Sequence, residues 1–125
     1  MMFRFPKEHR LLKRLEFKSA LNGNIKVVTP YIVVLGVPSQ SDQTRMGLIV
    51  SRKVGIAVVR NKVKRLLRES FRSISDHCLP MDIVVIARKP AASADVHMLK
   101  ESLQKALTKV GRKIEARASK IKEDR

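Results

Sequence analysis

This chain is short of cysteine, aromatics and acids, and each scarcity removes a class of explanation. Cys78 is the single cysteine, so no intrachain disulfide forms and no CxxC pair offers zinc ligands or dithiol chemistry; it reads as an inert thiol. No apolar run approaches the ~20 residues of a membrane span. The opening MMFRFPKEHRLLKRLEF also lacks the apolar stretch and small-residue cleavage site of a signal peptide. Both absences predict a cytoplasmic protein without membrane contact. There is no glycine-rich phosphate loop, GxGxxG or HExxH. The three histidines, His9, His77 and His97, are scattered along the chain. Asp42, Asp76, Asp82 and Asp95 fall at predicted loops and element ends, where turn and N-cap roles are the rule. A protein nuclease needs a carboxylate cluster for metal or a histidine with a partner base. Neither assembles here, so no catalytic residue and no protein-bound metal or cofactor is expected.

Positive charge is what the chain has in excess. Against 11 Asp and Glu stand 27 Lys and Arg, a net charge of +16 at pH 7 and a pI near 10.9. Such an excess repels itself unless a polyanion relieves it, which points to nucleic acid or an anionic surface. The hydrophobic fraction, 44%, is that of a globular protein and excludes a wholly disordered basic tail. With 125 residues the expectation is one domain, 1–125, with a basic, weakly apolar tail that frays from about residue 112.

Hydrophobic periodicity divides the chain into elements. In HRLLKRLEFKSAL, Leu11, Leu12, Leu15 and Leu21 recur at helical spacing with Phe17 off that stripe, and Asn22-Gly23-Asn24 predicts a left-handed C-cap. IKVVTPYIVVLGVP is β-branched and interrupted by Pro30, which predicts two strands joined at the proline. RMGLIVSRK predicts a third strand, the first three running antiparallel, and a turn at Lys53-Val54-Gly55 leads into a long helix from near Ala57. MDIVVIAR is almost all apolar and predicts a central fourth strand. A last helix carries Leu99, Leu103, Leu107 and Val110 behind an acidic cap at Asp95. The fold class is α+β, in the order α-β-β-β-α-β-α, with helices on a mixed four-stranded sheet.

The helix from Ala57 carries the functional signal. On a wheel of about 100° per residue, Val59, Val63, Leu66, Leu67, Phe71 and Ile74 share the core sector. Asn61, Lys64, Arg65, Arg68 and Arg72 lie opposite, with Arg60 and Lys62 on the flanks. A solvated helix face normally mixes signs to gain i, i+4 support. Residues 52–72, which include Arg52 and Lys53, instead hold eight cations and one anion, Glu69. Arginine forks bind phosphate oxygens in pairs, so RNA or DNA supplies the missing charge.

The order of residues is specific as well as their charge. GLIVSRKVGIAVVRNKVKRLLRESFR, Gly47 to Arg72, closely resembles the protein subunit of bacterial ribonuclease P, whose hallmark is present as Arg60, Asn61, Lys64, Arg65 and Arg68. The later IARKP, Ile86 to Pro90, and LKRLEF in the first helix fit the same family. The resemblance implies a left-handed crossover between the third and fourth strands, against the right-handed default. It implies that Arg52, Lys53, Arg60, Asn61, Lys62, Lys64, Arg65, Arg68 and Arg72 face the catalytic RNA. A separate cleft between the sheet and the first helix would hold the single-stranded 5′ leader of precursor tRNA, with Phe17 stacking on a base and Leu21, Tyr31, Val34, Arg88 and Lys89 around it. Leu21 and Val34 stand where the family often has aromatics, so charge and apolar contact carry more of the grip. The family's holoenzyme is a magnesium-dependent endonuclease whose RNA does the chemistry. The implied partners are therefore catalytic RNA and precursor tRNA, with no protein partner required. Two rivals share the basicity: a structural RNA-binding protein of ribosomal type, which needs no leader cleft, and a reader of duplex DNA, which lacks here the short preceding helix of a helix-turn-helix.

Overall fold

The structure, a computed structural model, describes residues 14–23, 25–39, 42–74 and 80–123, with the backbone alone at 14–17 and 118–123. Its elements follow the predicted order. Helix α1 is Arg14–Leu21, strands β1 and β2 are Ile25–Val28 and Ile32–Pro38, and β3 is Arg45–Ile49. The long helix α2 is Ala57–Ile74, β4 is Met81–Ala87, a 3-10 turn covers Lys89–Ser93, and α3 is Val96–Glu123.

Local chemistry explains the boundaries. Thr29 closes the β1–β2 turn around Pro30: its N–H donates to the Ile32 carbonyl at 2.8 Å, and its Oγ1 accepts the N–H of Ile32 at 3.0 Å. Pro30 thus occupies a position that owes no ladder donor. Asp95 caps α3, accepting the Met98 N–H on Oδ1 at 2.9 Å. At the end of α1, Gly23 is not in the left-handed conformation predicted for it. It is needed for a close approach instead, because a Cβ there would lie 2.7 Å from Val37 Cγ1 and 3.0 Å from the Gly36 carbonyl oxygen.

The sheet order is β1-β2-β4-β3. β1–β2 and β2–β4 are antiparallel, and β3–β4 is parallel. β2 and β3 do run in opposite directions, but they are not neighbours as the sequence suggested; β4 lies between them. Its position follows from its composition. Met81, Ile83 and Val85 are buried on one face and Val84 on the other, and only an interior strand covered on both faces shelters such a run. The connection from β3 to its parallel neighbour β4 runs through α2.

The larger core lies between the sheet and the pair α2 and α3, around Phe71, Leu67, Ile32, Val34, Leu99, Leu103 and Leu107. Each such side chain contributes roughly 1.5–3 kcal/mol by leaving water. Gly36 lets α3 seat closely, since a Cβ there would come within 2.7 Å of Val110 Cγ1. On the other face α1 sets Ala20 over Val84, with Val37, Ile49 and Ile86 around them. Helix α3 continues past Gly111 to Glu123, and Ile114 is still buried.

Asp82 is the second residue of β4, and its role there is a cross-strand ion pair rather than a turn or a cap. It lies within β4, buried, and receives Arg45 Nε and a terminal nitrogen of the same guanidinium on its two oxygens, both at 2.9 Å. The two residues are register partners across the parallel β3–β4 pair. His9, Asp76, His77 and Cys78 lie outside the described residues. No helix among the described residues is long and apolar enough to cross a membrane.

Candidate nucleic-acid interface

Helix α2 buries Val63, Leu66, Leu67, Phe71 and Ile74, as its wheel predicts, and Val59 is half-buried. Ser70 joins the buried side, a placement hydropathy alone does not reveal. Its hydroxyl donates to the Leu66 carbonyl one turn back at 2.7 Å, which satisfies the polar group inside the helix. The outward face consists of Val58, Asn61, Lys62, Arg65, Arg68 and Glu69. Arg60, Lys64 and Arg72 are half-buried along its margin.

Arg60, Lys62, Lys64, Arg65 and Arg68 have no ion-pair partner among the described residues, and Glu69 forms no pair with Arg65. Arg60 Nε is sealed from solvent without a hydrogen-bond partner among the described residues, an arrangement that costs about 1–3 kcal/mol for a buried donor. Ile56 and Val58, at the start of the helix, are 71% and 75% exposed. The sequence reading missed this apolar pair, which borders the cations.

Topology extends the charged surface. Because β3 and β4 are parallel with Ile49 opposite Ile86, the segments that follow them emerge at one end of the sheet. Arg52 and Lys53 thus share that end with Arg88 and Lys89, all four exposed. The 3-10 turn that Lys89 opens packs against α2, joining both pairs to the helix. Arg88 is held there by donating a terminal nitrogen to the Thr29 carbonyl at 2.7 Å.

The sheet face carrying α1 has a second feature. Val28, Val33, Ile86 and Ile49 are successive register partners across β1, β2, β4 and β3. Val28 is 56% exposed and the other three are half-buried. A row of four apolar side chains therefore crosses the whole sheet and remains open to water, at the end from which Arg52, Lys53, Arg88 and Lys89 project. In the next row toward α1, Lys26 and Leu35 are partners and Val84 is covered.

The candidate leader residues do not all share this face. Leu21 is on it, 38% exposed at the end of α1. The Phe17 side chain lies outside the described residues, although its backbone is in α1. Val34 is fully buried in the larger core, under α3. The alternation of β2 gives Val33 and Leu35 to the α1 side, and strict period two was the signal that identifies them. Tyr31 is on the α3 side, its hydroxyl 3.7 Å from Met98 Sδ.

Known proteins resemble this chain in sequence and fold over most of its length. The family model for ribonuclease P matches residues 5–111. A ribonuclease P protein component from Citrifermentans bemidjiense is 41% identical over 109 residues, covering 87% of this chain and 94% of that one. Another, from Caldanaerobacter subterraneus subsp. tengcongensis, is 43% identical over 101 residues, 80% and 87% of the two chains. Among solved structures, the Staphylococcus aureus RNase P protein superimposes with a TM-score of 0.71 at 36% identity, covering 80% of this chain and 93% of that one. The Thermotoga maritima RNase P protein gives 0.70 at 35% identity, over 79% and 94%.

Proposed function

The chain belongs to the ribonuclease P protein family, and we propose that it grips the catalytic RNA through the cations of α2 and holds the 5′ leader of precursor tRNA on the open sheet face beside α1. As the protein component of that ribonucleoprotein enzyme it serves tRNA processing. The observation that carries the first half is the outward face of α2, where Lys62, Arg65 and Arg68 crowd together with no ion-pair partner among the described residues. Phosphates would relieve the crowding, and each one neutralised adds a salt-dependent increment of affinity through counterion release.

The second half is supported by the open row Val28, Val33, Ile86 and Ile49. A single-stranded leader presents bases that pack on apolar side chains and phosphates that seek cations. This face supplies both, with Arg88 and Lys89 at its edge and Phe17 on the adjoining helix. Mature tRNA has no leader to place there, so the cleft favours precursor over product. Magnesium, which the family's chemistry uses, finds no fitting site here: no three His, Cys, Asp or Glu come together among the described residues. We assign the metal and the cleavage chemistry to the RNA. The left-handed sense of the β3–α2–β4 crossover belongs to the same reading.

The test compares precursor and mature tRNA binding by the reconstituted enzyme, with the natural chain and with Phe17→Ala. Loss of the stacking side chain is expected to weaken precursor binding by ~1–3 kcal/mol or less, with mature tRNA and assembly on the catalytic RNA unchanged. A thermal melt of the same variant separates this from a core role, which would cost ~3–5 kcal/mol of stability. Equal losses for both tRNAs would refute the leader assignment.

A further inference from the structure

A second groove lies on the opposite face of the sheet, between the β1–β2 turn and α3. It has a volume of about 350 Å³, and Pro30, Tyr31, Met98 and Ala106 form its apolar wall while Lys105 and Lys109 stand at its mouth. That size is at the lower end of small-ligand pockets. From this geometry we propose that the groove takes an unpaired RNA nucleotide, its base against Tyr31 and Met98 and its phosphate on Lys105 and Lys109. The proposal rests on the reading of this chain as an RNA-binding subunit, but it concerns a surface outside the α2 face and one that shares only Val28 with the open row of the leader cleft.

Three observations favour a nucleotide. The phenol of Tyr31 has an unusually weak partner: among the described residues its hydroxyl contacts only the thioether of Met98, at 3.7 Å. The hydroxyl is thus available to a base, beside a ring that is half-buried against the core. Met98 is 44% exposed, a large apolar residue left at the rim of a concave site, and its flexible polarizable side chain adapts to a flat ring. The surrounding charge is also predominantly positive, although Glu101 is among the lining residues. Residues 96–117 carry six cations and two acids, and Lys105 and Lys109 are one turn apart on α3. Glu101 hydrogen-bonds Lys105 at 2.8 Å, and that ammonium holds its carboxyl below the usual carboxylate range. The pair is exposed, so an arriving phosphate competes for Lys105 at little cost.

The groove is connected to the main interface. Arg88, at the cationic end of the sheet, donates to the Thr29 carbonyl on the groove's rim.

The chain has one tyrosine and no tryptophan, so its intrinsic fluorescence reports Tyr31 alone. Titration of the full chain with an oligouridylate hexamer is expected to quench that emission saturably, whereas a blunt RNA duplex and polyglutamate leave it unchanged. The exposed-site variant Lys105→Glu/Lys109→Glu should raise the midpoint about tenfold or more. Arg65→Ala/Arg68→Ala should leave the quench in place while weakening the complex with catalytic RNA. An unchanged emission from chain that still binds catalytic RNA would sink the groove and spare the subunit reading. Failure to bind catalytic RNA at all would sink both. A quench by polyglutamate equal to that by the hexamer would show an acidic-peptide site and overturn the nucleotide.

Discussion

Asp82 and Arg45 show at the scale of single residues how a charge is accommodated inside the sheet. The carboxylate is buried, but both its oxygens are met by one guanidinium from the parallel neighbour strand. The side chain of Arg45 remains 17% exposed, so removal of Asp82 leaves a cation that water partly reaches. Asp82→Ala should therefore cost ~2–3 kcal/mol, less than the ~3–5 kcal/mol of a fully buried pair. Chemical denaturation reads this directly. The double variant Arg45→Met/Asp82→Leu is expected to recover most of the loss, because an apolar pair carries no desolvation penalty. The sequence placed Asp82 at an element end, the start of the fourth strand, where a turn or capping role is the default; its compensating partner lies 37 residues away, where no local pattern could reveal it. Val34 was misplaced for a related reason. Residue type alone does not tell which face of an apolar strand looks at which helix, and β2 is apolar at 33, 34 and 35 alike.

Among the elements, α2 and β4 were the most legible. The 3.6-residue spacing of Val63, Leu67 and Phe71 and the unbroken run in β4 each allow a single burial pattern, and the structure adopts both. Strand order was not legible, since hydropathy does not encode whether β2 or β3 lies beside β4. The extent of α3 was not either. Gly111 is a usual stop signal, yet the helix continues and buries Ile114 one turn later. How α3 seats on β2 depends on the absence of a side chain at Gly36. Gly36→Ala should push Val110 away and destabilise the fold by ~1–3 kcal/mol, the usual cost of overpacking. Val110→Ala introduced with it should restore part of that loss. Thermal melts of the single and double variants test the contact, and equal Tm values for Gly36→Ala and the natural chain would contradict it.

For the whole molecule the dominating quantity is a net charge of +16; ten cations and one acid, Glu69, stand on α2 and the adjoining sheet end, a local +9 without a matching acidic surface there. No metal cluster forms among the described residues. If the RNA carries the chemistry, as proposed above, highly purified, RNA-free protein should leave precursor tRNA intact with or without magnesium, and cleavage abolished by a single carboxylate substitution would overturn that division of labour. The central claim is that α2 binds the catalytic RNA through its exposed cations, Lys62, Arg65 and Arg68 foremost. It is tested most directly by the salt dependence of that complex, measured for the natural chain and for Arg65→Ala/Arg68→Ala. Both positions are exposed and crowded by like charge, so the variant should fold as well as the natural chain. Its affinity should fall, and its plot of log affinity against log salt should flatten by about one unit for each cation removed. An unchanged affinity with an unchanged slope would contradict the claim.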